Sequence, residues 1–449
     1  MRRHSQPLHR LTSEWRTVQG HRPAGSEQFP RRSIPFQIED RFPEDAFAFA
    51  TLSVALLAPV IGPLTPVLSM FLLFVVVVCR PTFVVSSLMS NGAIILIPLF
   101  AVLSTLWSIN PTVSAYYGSQ YLITVILGIL IGSAIGRIRA FRGIYYAFAV
   151  FCVGSALFGR SVGWGDGGPG GTAFAGLVAS KNSAGDIAAI GAMASLSYSF
   201  QKVAKRELLA ALFAALVLVL AVYLTFASQS SGAVLGVAIG CGFIVCASVA
   251  YALPSQYRVL LAIGLVVSLL AILATYELWF EPMLEALTAA FGKSPTLTGR
   301  TAIWEDAERL MRERPALGLG FSAFWVHGNL DAEGIWRSMG IVNRAGFNFH
   351  NTPLEIRVHL GWVGFALFSS VFCFRGIKLW AKTTYQPDVA MVFWCAFLVY
   401  QLSRMYAEAR GLKLFDYGTI MLFAAMAVGG SAVRMPTEYR RGSHLPPIQ

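Results

Sequence analysis

Apolar stretches long enough to cross a bilayer recur along nearly the whole chain, and that recurrence constrains the fold more than any single motif. A transmembrane helix needs about 17 to 25 predominantly apolar residues. The sequence offers about twelve such stretches, at 46–62, 64–79, 88–107, 113–135, 143–160, 174–200, 207–226, 232–253, 258–280, 353–374, 388–406 and 414–433. Pro59, Pro63 and Pro66 interrupt the first two, which one re-entrant hairpin would also satisfy. Composition agrees. Of 449 residues, 55% are hydrophobic and 13% charged, and the mean hydropathy is +0.60. A soluble chain carries about 25% charged residues. An all-α, polytopic integral membrane bundle is the expected fold class.

Lys and Arg placement gives an expected orientation. With the N-terminus inside, the inner connections are Arg80 to Ser87, GRIRAFR (136–142), QKVAKR (201–206), PSQYR (254–258), RGIKLWAKTTYQP (375–387) and the tail from Arg434, and each carries a cation. The outer connections SINPT (108–112) and ASQSS (227–231) carry none, whereas the loop 407–413, with Arg410 and Lys413, breaks the alternation. Both termini are therefore expected in the cytoplasm. Residues 1–45 hold eight Arg and no long apolar run, which reads as a flexible tail rather than a cleaved signal, and 434–449 as a second tail. The net charge of +12 follows from this asymmetry, with some attraction to anionic lipid, and calls for no nucleic acid.

One long connection, 281–352, separates spans 1–9 (46–280) from spans 10–12 (353–433) and is expected outside. Loops of that length are usually functional. Within it, TGRTAIWEDAERLMRERP (298–315) reads as an amphipathic helix with Thr301 as N-cap, Ile303, Ala307, Leu310 and Met311 on one face, and Pro315 closing it. Arg300 would stand just before that helix, either as half of an anion site or paired with a loop carboxylate. The loop ends in FHNTPLEIRVHLGWVG (349–364). Asn351 or Thr352 can cap a helix that has Pro353 in its first turn. His350 then lies at the membrane mouth, where a neutral imidazole can take a proton from a hydroxyl, or can simply bond loop backbone.

Several cations fall inside expected spans: Lys181, beside Asn182, in span six, Arg357 in span ten, with His359, and Arg404 near the outer end of span eleven. Each could be half of a buried ion pair, for example Arg404 with Glu408 at i,i+4. Cations outnumber the plausible anions Asp186, Glu277 and Glu355, which favours an anionic ligand unless the cations snorkel. The six cysteines (79, 152, 241, 246, 373 and 395) have no metal or redox spacing, and no P-loop, GxGxxG after a strand, or HExxH occurs. No metal site and no cofactor is expected. The glycine-rich GWGDGGPGG (163–171) reads as a flexible loop.

GLVASKNSAG (176–185), SQSSGAVLGV (228–237), GRTAIW (299–304), RPALGLGFSAFW (314–325) and FHNTPLEIRVHLGWVG (349–364), in this order and topology, resemble the superfamily of bacterial O-antigen ligases and Wzy-type polysaccharide polymerases, including exopolysaccharide polymerisation proteins of the succinoglycan type. The resemblance implies a GT-C-like glycosyltransferase of the bacterial inner membrane with one large periplasmic loop. It implies an undecaprenyl-pyrophosphate-linked oligosaccharide donor, glycosyl transfer to an acceptor hydroxyl without metal or nucleotide, and a chain-length regulator and a flippase as candidate partners. It places the catalytic histidine on His350, the loop arginine on Arg300, and the SKN motif on Lys181 and Asn182. Many members carry Ser-Arg in the short loop after span seven, where this chain has SQSSG (228–232), so Lys181, Arg357 or Arg404 would have to supply that charge. Polymerisation is the expected reaction and ligation to a lipid A core the alternative. A solute transporter fits less well, because the two halves show no mutual similarity.

Overall fold

The computed structural model of the protein describes residues 43–134, 137–163, 171–250, 253–275, 300–341, 344, 346–385 and 388–430. Expectations for residues 1–42, for 276–299 with Glu277, for the glycine-rich stretch 164–170 and for the tail from Arg434 lie outside them. In chain order the elements are α1 (Glu44–Leu56), α2 (Ala58–Ile61), α3 (Leu64–Cys79), α4 (Pro81–Ser90), α5 (Gly92–Leu103), α6 (Pro111–Ser133) and α7 (Arg137–Phe158). An antiparallel hairpin follows, β1 (Arg160–Gly163) with β2 (Thr172–Gly176). The rest is helical: α8 (Lys181–Ala204), α9 (Leu208–Ala227), α10 (Ser231–Ala250), α11 (Ser255–Ala274), α12 (Arg300–Glu313), α13 (Leu330–Ser338), α14 (Thr352–Tyr385), α15 (Val389–Met405) and α16 (Tyr417–Gly430).

The protein is thus a helical integral membrane protein. Among the described residues, α6, residues 140–158 of α7, α9, α10 and α14 are each long and apolar enough to cross a membrane, and α3 with α4 makes a sixth candidate if the pair counts as one span. That pair bends by 106° at Arg80, where Pro81 starts a new helix. Residues 80–87, expected as a linker, are therefore mostly helix. Helices α15 and α16, of 17 and 14 residues, fall short of a full bilayer crossing of about 20 residues. Span six does not begin at residue 174, because Thr172–Gly176 pairs as a strand and the helix starts only at Lys181.

Helix α9 shows how the apolar pattern is used. Ala211, Ala214, Val217, Ala221 and Leu224 are buried, while Leu209, Leu212, Leu216, Val219 and Tyr223 stay exposed. In water such a face would be an aggregation liability; in a bilayer it meets lipid. Helix α10 instead carries a glycine ridge, Gly232, Gly236 and Gly240, and a Cβ at these positions would strike Arg404, Tyr400 and Met193 respectively. Small residues at a spacing of four let two helix backbones approach closely.

Helix α14 is not continuous. At Gly361 the backbone takes φ +66° and ψ −168°, which breaks the helix that the sequence reads as one uninterrupted span. The segment RPALGLGF (314–321) fills the break. Leu319 and Gly320 donate N–H groups to the carbonyls of Val358 and His359 (2.8 and 2.9 Å), and Trp362 and Val363 donate to Pro315 and Ala316 (2.9 and 3.1 Å). Four backbone groups freed by the kink are thereby satisfied inside the bundle. The same strap is tied on its far side to the α5–α6 turn: Ile109 N–H donates to Leu319 O, Phe321 N–H to Ser104 Oγ and the Trp107 indole to Leu317 O. A small second core, including Ile303, Leu310, Phe324, Trp336 and Phe349, closes over the strap and reaches Leu354 and Val358 of α14.

Candidate functional site

The stretch FHNT (349–352) does more than start α14. Asn351 Oδ1 accepts from Leu354 N–H (3.0 Å), which makes it the cap, and its Nδ2 donates to Tyr406 O (3.0 Å). Thr352 Oγ1 donates to Glu408 O (2.7 Å) and accepts from Arg410 N–H (2.8 Å). Two adjacent side chains therefore clamp the α15–α16 loop, YAEAR (406–410), against the start of α14. Trp304 of α12 closes the arrangement by donating to Phe349 O (2.8 Å).

The clamp fixes Glu408 at the meeting point of three cationic or ionisable side chains. Arg300 Nη2 lies 3.4 Å from Glu408 Oε1, and Arg300 Nη1 donates to Ala407 O (2.6 Å). Arg404 Nη2 is 3.9 Å from the same Oε1, and His350 Nδ1 is 3.5 Å from Oε2. The last distance is long for a hydrogen bond and suits an ion pair or an oriented contact. Of the alternatives open for Arg300, the structure has the carboxylate pair, but with a partner from another loop. Arg300 is also the first described residue of α12 rather than the residue before it, which leaves Thr301 inside the first turn.

Behind Glu408 lies a second carboxylate. Asp186 of α8 is fully buried, and Arg410 grips it bidentately at 2.5 and 2.7 Å. Tyr417 OH donates to it at 2.9 Å, Tyr400 OH donates as well, and Arg404 Nε lies 3.8 Å away. Arg404 thus bridges Asp186 and Glu408, and Gly232 of the SQSSG turn abuts its guanidinium. Three guanidinium groups face two carboxylates, so the cluster holds one positive charge in excess before His350 is counted. Such a surplus at low exposure favours an anion.

Environment sets the charge states at the outer edge of the cluster. Burial alone would raise the Glu408 carboxyl, but the His350 contact and the nearby charges of Arg410 and Arg404 outweigh it, holding the group well below the ordinary carboxylate range. Burial pulls the Arg300 guanidinium below its usual value, with Glu408 opposing and Arg404 adding to the fall. His350 itself has φ +50°, uncommon for a residue with a side chain, and its N–H donates to Asn348 Oδ1 (2.8 Å).

Among the residues singled out in the sequence, Arg300, His350 and Arg404 come together. Lys181 and Asn182 lie in the first turn of α8, with Ser180 Oγ accepting from Asn182 N–H (3.2 Å), about 7.5 and 6 Å respectively along the axis from Asp186. Arg357 is directed elsewhere: its guanidinium lies 4.7 Å over the Trp362 ring and 6.0 Å from Phe365, and its Nε donates to Pro353 O. His359 is buried 3.4 Å from Glu355, one turn earlier, and Glu355 accepts from Phe349 N–H (2.7 Å). Glu408 and Arg410 were visible in the sequence only as a helical ion-pair partner and as an exception to the charge alternation. The exception has a physical reason, because Arg410 answers Asp186. A carboxylate and a cation two residues apart in a short loop between apolar helices was the available signal.

Residues 216–369 match a family model described as O-antigen ligase. The chain is 30% identical over 328 residues to the exopolysaccharide production protein ExoQ of Rhizobium meliloti (strain 1021), an alignment that covers 72% of this chain and 74% of that one. The family match at 216–369 spans both Arg300 and His350, and the chain belongs to the superfamily of bacterial O-antigen ligases and Wzy-type polysaccharide polymerases.

Proposed function

We propose that the protein polymerises undecaprenyl-pyrophosphate-linked oligosaccharide repeat units into exopolysaccharide or O-antigen at the periplasmic face of the inner membrane. The observation that carries this reading is the convergence of Arg300, Arg404 and His350 on Glu408 with one positive charge in excess. The donor's bond from sugar C1 to the pyrophosphate oxygen is already activated, so the reaction needs a base for the acceptor hydroxyl and cations for the leaving group. With Nδ1 facing Glu408, His350 offers Nε2 to the acceptor. The acceptor oxygen bonds to C1 as its proton passes to Nε2, the C1–O bond to pyrophosphate breaks, and the electron pair leaves on the lipid pyrophosphate. Arg300 and Arg404 compensate the charge that develops there. Glu408 orients the imidazole and steadies the imidazolium, as carboxylates do in other histidine-based sites. Lys181 and Asn182, with the positive end of α8, add a further binding element for phosphate.

Ligation to a lipid A core is the second reading, favoured by the description of the matching family. The purified protein, given lipid-linked repeat units alone, separates the two. A ladder of lengthening glycans supports polymerisation. Product that forms only when lipid A core is added would favour ligation. With His350→Asn as the inactive control, equal turnover by that variant would remove the histidine from the mechanism.

A further inference from the structure

At the opposite end of the helices that build the cluster lies a cavity of about 240 Å³. Phe243 and Ala247 of α10, Leu261 of α11, Trp380 of α14 and Val392 of α15 line it, with Arg258 of α11. Along α15, Val392 is twelve residues from Arg404, or about 18 Å of rise. Along α10, Ala247 lies fifteen residues beyond Gly232, or about 22 Å. The cavity is therefore separate from the reaction site.

Its chemistry is nearly all hydrocarbon. Two threonines line it, but Thr383 Oγ1 donates to Leu379 O (2.9 Å) and meets Cys395 Sγ at 3.2 Å, and Thr384 Oγ1 donates to Trp380 O (3.0 Å), so both hydroxyls already have partners within the protein. The volume lies below the roughly 300–1,000 Å³ of a drug-sized ligand site, and suits one aliphatic chain better than a compact polar solute. Arg258 is the exception. It is the one charged residue of the lining, its Nε is buried without a hydrogen-bond partner, and it forms no ion pair among the described residues. It also sits in the first turn of α11, where the positive end of a helix disfavours a cation and favours an anion. Arginine and helix end together want a negatively charged oxygen beside an apolar slot.

We propose that this cavity binds one anionic phospholipid, an acyl chain filling the slot between α10, α11, α14 and α15 and the phosphate seated on Arg258. The proposal rests on the membrane location of the protein and not on which glycan reaction it performs. An uncharged lipid would fill the slot and leave Arg258 unanswered, and a zwitterionic lipid would bring the same phosphate together with a cation that competes with Arg258 for it. Lipid charge should therefore decide occupancy.

The test is native mass spectrometry of the full chain released from nanodiscs of phosphatidylglycerol, phosphatidylcholine or their equal mixture. The wild type should retain one phosphatidylglycerol in preference to phosphatidylcholine. Arg258→Gln should reduce that preference by roughly tenfold, the scale of one lost charge-assisted contact, and Arg258→Lys should keep most of it. Ala247→Trp, which fills the slot, should abolish retention of both lipids. Unchanged preference in Arg258→Gln, or full retention in Ala247→Trp, would overturn the proposal. So would displacement of the bound lipid by a polyprenyl phosphate at equal concentration, which would assign the slot to a prenyl tail.

Discussion

His350 stands in a left-handed backbone conformation, one residue before a cap and two before a clamp, so its ring position is over-determined by its neighbours. Asparagine tolerates that conformation and keeps some hydrogen-bonding capacity, but cannot accept the acceptor's proton. His350→Asn should lower turnover of lipid-linked repeat unit by about 10²-fold or more with normal protein levels. His359→Asn should act differently, through loss of a buried partner of Glu355, and show itself first as reduced thermal stability. Glu408→Gln is the sharper test of the cluster. It leaves Arg300 and Arg404 without their shared carboxylate and His350 without its orienting group, so activity should fall by at least tenfold while binding of a lipid pyrophosphate tightens or holds. Because its folded pKa lies below the unfolded value, the Glu408 contribution to stability is fully present above the ordinary carboxylate range, near pH 4.3, and is lost only as pH falls further. Arg300→Ala should abolish product, and Arg300→Lys should recover little, since a point charge cannot hold both Ala407 O and Glu408 as the planar fork does.

Among the elements, α6, α9 and α14 show where the sequence was legible and where it was not. Helices with uninterrupted apolar runs appear close to their expected limits: α6 at Pro111–Ser133 against 113–135, and α9 at Leu208–Ala227 against 207–226. Hydrophobic length alone decides such helices. The break at Gly361 was not legible, because a kink inside an apolar run costs nothing in composition and depends on a distant strap to satisfy it. The β-hairpin was missed for a related reason: its strands are short and join around a glycine-rich stretch read as a loop. Around Glu408, motif and position had singled out the histidine and the loop arginine as candidates. Their common partner was not, since only the fold brings 300, 350 and 408 together. Gly232→Ala tests the element-scale packing directly. A methyl group there would displace the Arg404 guanidinium, so activity should drop by about tenfold or more while the protein still assembles in the membrane. A larger penalty is expected at Gly361→Ala, where a positive φ and the Ala316 carbonyl both oppose a Cβ. Roughly 3 kcal/mol of lost stability should appear as a lower inactivation temperature in detergent.

For the molecule as a whole, two cores share one helix. Leu354 and Val358 of α14 pack with the small core over the strap, whereas Phe368 and Val371 beyond the break pack with the main bundle. The charge alternation along the chain predicts that the strap side faces outward. Reporter fusions at Gly328 and at the C-terminus should then give opposite compartment signals, and matching signals would overturn both that orientation and a periplasmic reaction site. The strap also has a consequence for engineering. Segments between spans are commonly exchanged between related proteins as self-contained cassettes, but here such an exchange would cut through a shared hydrogen-bonded seam. Residues 315–320 carry half of the pairing and 358–363 the other half. A graft that imports one side without the other would strand amide and carbonyl groups in hydrocarbon. Specificity swaps in this protein should therefore move both sides of the seam as one inheritance.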